Sequence, residues 1–355
     1  MAQDNRKPLT LIEVAQRLGV SKSTVSAAFT GKGTITAARR EAVMRAAIDL
    51  GYEPNPYAQR LVQGSRSDMI CIYTPNMGAG AFSQVIEGLQ SAIVERGISA
   101  PIHIAGRHRG EAEYQLSVLR GLRLQRPKAM VCSLRNLLPE LRAELERYAL
   151  SGGILIGADG YVSEDLGCDW VRFDRQRNAY LATKYLIDHG HTKIGMYTPS
   201  PSKLDRLSGD TPVLDGFSQA HREYGLAVRP DWLMQQSYYE DGGMWLAKAF
   251  LALDDRPTAM FVINDNAASA FVQQLYRAGV RVPEDVSVFG HDNAAPAASC
   301  MVPLTTISWP MQPMVSALED MLFSRTSGEY MGLRREVVLH GELTVRDSVR
   351  QIGAP

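Results

Sequence analysis

The stretch LTLIEVAQRLGVSKSTVS, residues 9–26, carries the strongest structural signal in the sequence. Thr10 is followed three residues later by Glu13, the spacing of a capping box, which predicts that a helix begins there. Apolar residues then recur at helical spacing until Gly19 ends the helix. Ser21 is of the residue type that caps helices, so a second short helix is expected directly after it. The stretch therefore predicts two short helices joined by a turn that contains glycine.

A third helix, predicted over residues 36–50 and followed by Gly51, completes a helix-turn-helix unit. A helix that enters the major groove of DNA presents short polar or basic side chains from its N-terminal turn. The second predicted helix has such a turn, SKST at residues 21–24. The same periodicity also fits a three-helix bundle that binds another protein, so the helices alone leave both functions open.

The distribution of charge favours DNA binding. The 355 residues include 38 Lys and Arg and 38 Asp and Glu, which gives a formal net charge of zero. Up to Arg66, however, 10 basic residues stand against 5 acidic ones, whereas the remainder has 28 against 33. A segment of charge +5 joined to one of −5 suggests that the first segment meets a polyanion. The length predicts two or three domains.

The sequence lacks the signals of secreted, membrane, metal-binding and catalytic proteins. The first eight residues are polar, and no apolar run approaches the ~18 residues that span a bilayer, so we expect a cytoplasmic protein. The four cysteines are far apart and form no CxxC pair, which predicts reduced buried thiols rather than a zinc site or disulfides. No GxSxG, P-loop, HExxH or GxGxxG motif occurs, so we expect no enzyme, no metal and no cofactor. A carbohydrate-processing enzyme fused to a helical domain stays as a formal alternative.

Residues 9–26, together with GYEPNP at residues 51–56, closely resemble the headpiece of LacI/GalR family transcription regulators. The resemblance implies that the second helix reads the major groove through Lys22, Ser23 and Ala27, and that two headpieces dock on a palindromic operator. Ala27 stands where the family usually has Arg or His, so the base preference of better-known relatives does not carry over. The DNA-contacting residues expected in the headpiece are Thr10, Ser21, Lys22, Ser23, Thr24, Ser26 and Ala27.

The segment NPYAQRLVQG, residues 55–64, has Pro in its first turn and Gly at its end, a pattern that fits a short helix. Ten residues cannot hold a helix alone in water, so by itself this pattern indicates an interdomain linker with a transient turn. The family resemblance instead implies a hinge helix that orders on DNA and wedges Leu61 into the minor groove, where apolar wedges kink a base step. The residues expected beside this wedge are Asn55, Ala58 and Gln59.

From residue 67 onward, short apolar strands alternate with amphipathic helices, which predicts parallel sheets with helices on both faces. Two such series, the second beginning at Trp170, predict two doubly wound subdomains with a ligand crevice at the carboxyl ends of their strands. The predicted fold is thus an all-α three-helix headpiece with a hinge helix, joined to an α/β core that resembles periplasmic sugar-binding proteins. The expected bounds are 1–53 for the headpiece, 54–66 for the hinge, 67–350 for the core, 67–160 and 293–324 for the first subdomain, and 161–292 and 325–350 for the second.

Polar residues that directly follow predicted strands are the candidates for the ligand site. By position, the resemblance matches Asn264 and Asp292 to residues that hydrogen-bond sugar hydroxyls, although each could equally cap a helix or lie at the surface. Thr211 stands where the family usually has an arginine that clamps sugar hydroxyls, which leaves a non-sugar effector as an alternative. The resemblance also implies Arg109 at the rim, Tyr238 stacked on a sugar ring and Met311 on the apolar floor. With Asp159, which follows a strand, and with Asn264 and Asp292 as hydrogen-bonding groups, these are the expected effector-binding residues.

The sequence therefore predicts a DNA-binding transcription regulator, a repressor, controlled by a small metabolite such as a sugar or sugar derivative. Its expected partners are operator DNA, the effector and a second copy of the chain, with no membrane. Only seven residues follow Ser348, too few for the leucine heptads of a tetramer, so a dimer is expected. The alternatives are an activator with a non-sugar effector and a metabolite-binding protein whose helical head binds other proteins.

Replacing Leu61 with Ala tests the hinge interpretation. We expect less operator bending and a lower specific affinity, because the apolar wedge that kinks the base step is lost. Non-specific affinity should change little, since it depends on phosphate contacts. Energy transfer between the labelled ends of an operator duplex measures the bend, and a scrambled duplex serves as the control. Bending that persists in Leu61→Ala would show that residues 55–64 are only a linker.

Overall fold

The computed structural model divides the chain into two compact units, Met1–Ser67 and Asp68–Pro355, each with its own hydrophobic core. Within the part of the chain that the structure describes, no helix is long and apolar enough to cross a membrane. The described residues are 9–30, 34–52, 66–74, 81–105, 111–133, 138–159, 166–199, 211–236 and 242–353.

The first unit contains three short helices. They are α1 (Leu11–Leu18), α2 (Lys22–Thr30) and α3 (Ala37–Asp49). The predicted capping box begins α1: the Thr10 backbone N–H donates to the Glu13 carboxylate at 2.7 Å, and the Glu13 N–H donates to Thr10 Oγ1 at 3.3 Å. Gly19 ends α1 in the left-handed conformation, with φ 63°, where a side chain would be strained.

One small apolar residue from each helix forms the centre of this unit. Val14, Val25 and Val43 are buried together, and Tyr52 closes the core with its ring 5.4 Å from that of Phe29, edge to face. The core is small because the helices are short. Each buried residue therefore contributes a large share of the stability of this unit.

The second unit alternates strands and helices. Its strands are β1 (Ser67–Thr74), β2 (Ile102–Ile104), β3 (Pro127–Ser133), β4 (Ile154–Ala158), β5 (Asp169–Phe173), β6 (Ile194–Pro199), β7 (Leu233–Gln236), β8 (Ala259–Val262), β9 (Ser287–Phe289), β10 (Thr306–Ser308), β11 (Glu336–Leu339) and β12 (Glu342–Thr344). Its helices are α4 (Ala81–Glu95), α5 (Glu111–Gln125), α6 (Pro139–Leu150), α7 (Arg175–Asp188), α8 (Thr211–Glu223), α9 (Gly242–Leu251), α10 (Asp265–Arg277), α11 (Ala295–Ser299) and α12 (Met311–Ser327).

The first sheet has the strand order β11-β5-β4-β3-β1-β2, which differs from the predicted subdomain bounds. We expected residues 161–292 and 325–350 in the second subdomain, but β5 pairs in parallel with β4, and β11 pairs in parallel with β5. Gly157 shows why β5 fits there: its partner across the pair is Trp170, and a Cβ on Gly157 would lie 2.4 Å from the indole ring. The absent side chain makes room for Trp170, so β5 completes the buried first sheet.

The second sheet has the order β7-β6-β8-β9, and its described pairs are parallel. Part of the segment predicted to return to the first subdomain, residues 293–324, instead packs here: Leu304 and Ala297 share a core with Phe271. The chain's last segment also lies here, since Ser348 Oγ donates to the Val288 carbonyl and accepts from Thr305 N–H at 2.9 Å. From residues 293–324, α12 does pack against α4 of the first subdomain, as predicted for that segment.

Three connections join the two subdomains. The chain crosses after β5, again along β10, and finally along β12, which pairs antiparallel with β10. Because β10 also touches the second sheet through the Phe289–Thr305 bridge, this two-stranded ribbon lies at the junction of both subdomains. Any ligand that contacts these connections therefore contacts the element that orients one subdomain relative to the other.

A buried carboxylate ties distant parts of the first subdomain together. Asp169, at the start of β5, accepts hydrogen bonds from Arg325 Nη2 at 2.7 Å and from the Arg335 backbone N–H at 2.9 Å. Burial disfavours its charged form, but the hydrogen bonds from Arg325 and Arg335 outweigh burial, so the pKa of Asp169 is lowered. Asp169 thereby fixes the end of α12 and the start of β11 to β5.

We expect Asp169→Asn to lower the free energy of unfolding by about 2–4 kcal/mol, because two arginines lose their buried anionic partner. Urea unfolding at pH 7 measures the loss. Since a lowered pKa stabilises the fold only while the group is ionised, the difference from the unsubstituted protein should shrink as the pH falls below about 4. The control is Asp320→Asn, whose carboxylate lies 3.0 Å from Arg335 but is 73% exposed, so it should cost under about 1 kcal/mol. Equal losses in both variants would contradict the special role of Asp169.

Candidate nucleic-acid interface and effector cleft

The amino end of α2 presents polar side chains to solvent. Ser21 Oγ accepts from the Thr24 N–H at 3.1 Å and lies 2.7 Å from Ser23 Oγ, so Ser21 caps the helix. Ser21, Lys22 and Ser23 are exposed, and Lys22 makes no ion pair with any residue the structure describes. The positive end of the helix dipole adds to the Lys22 charge at this point, which favours a phosphate or a base edge as partner.

The other DNA-contact candidates are distributed around this turn. Ser26 and Ala27 lie half-buried further along α2, and Thr24 is half-buried with its hydroxyl 2.8 Å from Ser21 Oγ. Thr10 is exposed, but its side chain serves the capping box of α1. The four hinge candidates lie outside the described residues: Asn55, Ala58, Gln59 and Leu61.

An aromatic wall marks the place where the subdomains meet. Phe173, at the end of β5, stacks on Trp309, just after β10, with ring centroids 4.1 Å apart and an interplanar angle of 22°. Phe82, in the first turn of α4, has its ring 6.0 Å from that of Trp309. These three residues come from separate segments of the chain, and we call them the aromatic wall.

Asp292 is the polar centre beside the aromatic wall. Its Oδ1 accepts from Trp309 Nε1 at 2.8 Å and faces His291 Nδ1 at 2.9 Å. Among the residues that the structure describes, its Oδ2 has a single long contact, 3.4 Å from Asn264 Nδ2. Asn264 has the capping role considered from the sequence, because its Oδ1 caps α10 by accepting from the Ala267 N–H. Asp292 Oδ2 therefore has capacity to accept a further hydrogen bond from a ligand.

Backbone strain concentrates at the same place. Asp292 has φ 104° and Asn293 has φ 48°, conformations that cost energy in residues with side chains. Asp159, at the end of β4, also has a positive φ, of 44°. Strained residues of this kind cluster at functional sites, which supports the choice of Asp159 and Asp292 as site residues.

Asp159 forms an ion pair with Arg175, a residue that was not predicted from the sequence. Its carboxylate accepts from Arg175 Nη2 at 2.8 Å, and both side chains are buried. The Arg175 guanidinium in turn lies 5.1 Å from the Trp309 ring centre, within cation–π range. Met311 begins α12 and is half-buried, its N–H donating to the Trp309 carbonyl at 2.9 Å. The structure thus brings Asp159, Met311 and Asp292 to one wall.

A second carboxyl group lies behind Asp292. Asp265 is fully buried, and it accepts from Thr306 Oγ1 at 3.0 Å and from the Ala294 N–H at 2.9 Å. Burial, and secondarily the neighbouring charge of Asp292, raise the pKa of Asp265 to about 8. At neutral pH this carboxyl is therefore mostly protonated, so it connects β10 to α10 without adding a second negative charge to the site.

Phe173, Arg175 and Trp309 are the candidate-site residues that were not predicted from the sequence. The signal for Phe173 was its position as the last residue of a strand, but we assigned that strand to the other subdomain, away from the predicted crevice. Arg175 supplies a guanidinium from α7, whereas the family position that usually holds an arginine is Thr211, whose side chain is not described. The candidates Arg109 and Tyr238 lie outside the described residues.

Comparisons with known proteins agree with both halves of this architecture. Residues 10–55 match the family described as bacterial regulatory proteins, lacI family, and residues 183–349 match a periplasmic binding protein-like domain. The HTH-type transcriptional repressor PurR of Vibrio vulnificus is 30% identical over 97% of this chain and 99% of its own length. Among solved structures, a complex of the transcriptional regulator CelR with cellobiose is 25% identical, with TM-score 0.70 over 96% of this chain and 99% of its own. The lac repressor dimer bound to operator and the anti-inducer ONPF has TM-score 0.74 at 23% identity, covering 97% of this chain and 100% of its own.

A helix-turn-helix headpiece joined to a core whose two subdomains meet at polar and aromatic residues defines a ligand-controlled DNA-binding protein. The chain belongs to the LacI family of bacterial regulatory proteins. It is a DNA-binding transcription repressor controlled by a small-molecule effector. Its relatives are transcriptional repressors, which confirms the prediction that it is not an enzyme. The family match of the headpiece shows that this unit binds DNA, and it excludes the alternative of a protein-binding bundle.

Lys22→Ala should weaken operator binding and reduce the slope of log affinity against log salt concentration by about one if Lys22 meets only a phosphate. Fluorescence anisotropy at several salt concentrations measures both quantities. The matched control is Arg45→Ala, which removes one charge from α3, where Arg45 is 74% exposed and paired with Glu41. Unchanged binding by Lys22→Ala would exclude Lys22 from the contact set, and equal effects in both variants would indicate general electrostatic attraction only.

Proposed function

We propose that this repressor acts in the cytoplasm as a homodimer that binds a palindromic operator through the amino end of α2. We further propose that it is controlled by a hydroxylated ring compound, a sugar or sugar derivative, bound at the aromatic wall. The observation that carries the effector proposal is the placement of Asp292 Oδ2, an acceptor with spare capacity, beside stacked aromatic rings. In support of the operator proposal, the lac repressor, of the same fold, was solved as a dimer on its operator.

A sugar suits this site chemically. Sugar rings have apolar faces that pack on aromatic side chains, and Phe82, half-buried beside Trp309, is such a side chain. Hydroxyl groups donate well to carboxylates and accept from amides, the groups supplied by Asp292 and Asn264. The related regulator CelR was solved with cellobiose, which supports the same chemistry.

A planar aromatic compound is the second candidate. In support of this candidate, the aromatic wall already contains one nearly parallel stack, that of Phe173 on Trp309. The Arg175 guanidinium, 5.1 Å from the Trp309 ring centre, could pair with an anionic substituent on such a ligand. Because Asp159 already neutralises Arg175, this arginine favours a singly charged substituent over a highly charged effector.

The proposed effector site lies beside the connections between the two subdomains, where a ligand can influence their orientation. Phe173, Asp292 and Trp309 lie at or beside the connections between subdomains, so a ligand that contacts them favours one subdomain orientation over another. The affinities for effector and operator must then influence each other by the same factor.

Selection of operators from a random DNA pool tests the first proposal with the full-length protein. We expect enrichment of a palindrome, because a dimer with two equivalent headpieces reads two half-sites. Light scattering of the same sample measures the oligomeric state. A pool without enrichment, or a single unpaired half-site, would contradict the proposal.

A thermal-shift screen of sugars, sugar phosphates and aromatic acids tests the second proposal, since a ligand that binds the folded state raises the melting temperature. For the compound found, Asp292→Asn should weaken binding about tenfold or more, because the amide replaces the charged acceptor. Operator affinity without effector should stay the same. The control is Asp285→Asn, which changes a carboxylate that pairs with Arg281 and is 39% exposed. An unaltered response of Asp292→Asn would place the ligand elsewhere.

A further inference from the structure

One edge of the first sheet collects the ends of several helices. The described strand pairs of this sheet are parallel, so β1, β3 and β4 all begin at the same edge. Each helix that follows a strand returns in the opposite direction, and therefore α5 and α6 end at this edge. Because β1 begins at Ser67, this is also the edge at which the chain enters the core from the DNA-binding unit.

Basic residues accumulate at this edge. The set that we call the basic rim comes from the end of α5, the start of β3 and the end of α6. Its members are Arg120, Arg123, Arg126, Lys128 and Arg147. The core as a whole is acidic, with 28 basic against 33 acidic residues after Arg66. The basic rim is therefore a positively charged patch on a unit whose net charge is negative.

Glu144 contacts three members of the basic rim, and it is almost completely buried. Its carboxylate accepts from Arg147 at 2.6 Å, Arg123 at 2.8 Å and Arg120 at 3.3 Å. Burial disfavours its charge, but the hydrogen bonds from Arg123 and Arg120 outweigh burial and lower the pKa of Glu144. An ionised Glu144 thus cancels one charge and holds three guanidinium groups in place, while Arg120 and Arg147 stay 57% and 59% exposed.

Acidic residues elsewhere at this edge have basic residues beside them in the sequence. Asp68 and Glu95 are acidic residues at the same edge, beside β1, and they are accompanied by Arg66 and Arg96. Arg96 is paired with Glu319 at 3.3 Å. Near the starts of β3 and β4, the basic residues therefore predominate.

We infer that the basic rim is a second DNA-binding surface, which binds backbone phosphates that flank the bases read by the headpiece. Because Glu144 already holds these guanidinium groups in place, they lose little conformational entropy when they bind a phosphate. A guanidinium group can donate two parallel hydrogen bonds to a phosphate. The 13 residues from 53 to 65 link this edge to the headpiece, and they span at most about 45 Å even when extended, so operator flanks are within reach. This inference rests on the proposed operator binding.

Arg120→Gln with Arg147→Gln tests the inference, since both side chains are exposed and Arg123 still pairs with Glu144. We expect about three- to tenfold weaker binding to a duplex with 15 flanking base pairs on each side, and a lower salt slope. Binding to a duplex trimmed to the operator should stay unchanged. The control, Arg222→Gln with Arg256→Gln, removes two exposed charges from the second subdomain and should leave both affinities unchanged.

The outcomes separate the two proposals. If the unsubstituted protein binds no operator, the proposed function itself fails. If it binds, but the rim variant binds the long duplex with unchanged affinity and salt slope, the inference is overturned. Unchanged DNA binding with lost binding to poly-glutamate would also overturn it and would assign the rim to an acidic protein. Should the double variant melt at a much lower temperature, Lys128→Gln provides the same test without disturbing the Glu144 contacts.

Discussion

The hydrogen bond from the Trp309 indole to the Asp292 carboxylate, 2.8 Å long, is the interaction on which the two-subdomain core depends. Asp292 follows the second sheet, whereas Trp309 stacks on Phe173 of the first. One carboxylate thus joins the subdomains through a ring that is itself part of the ligand wall. Since burying a charge without partners is costly, a ligand that displaces the indole must supply an equivalent donor, and this requirement selects for hydroxylated compounds.

Buried carboxylates surrounded by arginines recur in the first subdomain. Asp169 fixes α12 and β11 to β5, and Glu144 holds guanidinium groups at the opposite part of the same edge. Both groups ionise more readily than ordinary carboxylic acids, because arginine hydrogen bonds outweigh the effect of burial. The zero net charge of the chain therefore conceals a basic headpiece, an acidic core and a basic edge within that core.

The helices of the headpiece could be predicted from the sequence, because their start and stop signals lie within a few residues of one another. The pairing of strands that are distant in the sequence could not. The capping box at Thr10 and the left-handed Gly19 act within one helix and were found from spacing alone. Strand β5 was recognised as a strand, but nothing in its apolar pattern states which sheet it joins, and its partner β11 lies more than 160 residues further along. That error concealed Phe173 and Arg175, while Asn264 and Asp292 were found because they follow correctly assigned strands.

The order of the elements along the chain has a consequence for synthesis. The outer strand β11 and the packing helix α12 of the first sheet come from the last quarter of the chain, as does Trp309. A nascent chain leaving the ribosome therefore contains all the residues of the headpiece core long before the effector cleft can close. A product of premature termination before β10 would keep every residue of the DNA-reading helix and lack Trp309 of the aromatic wall.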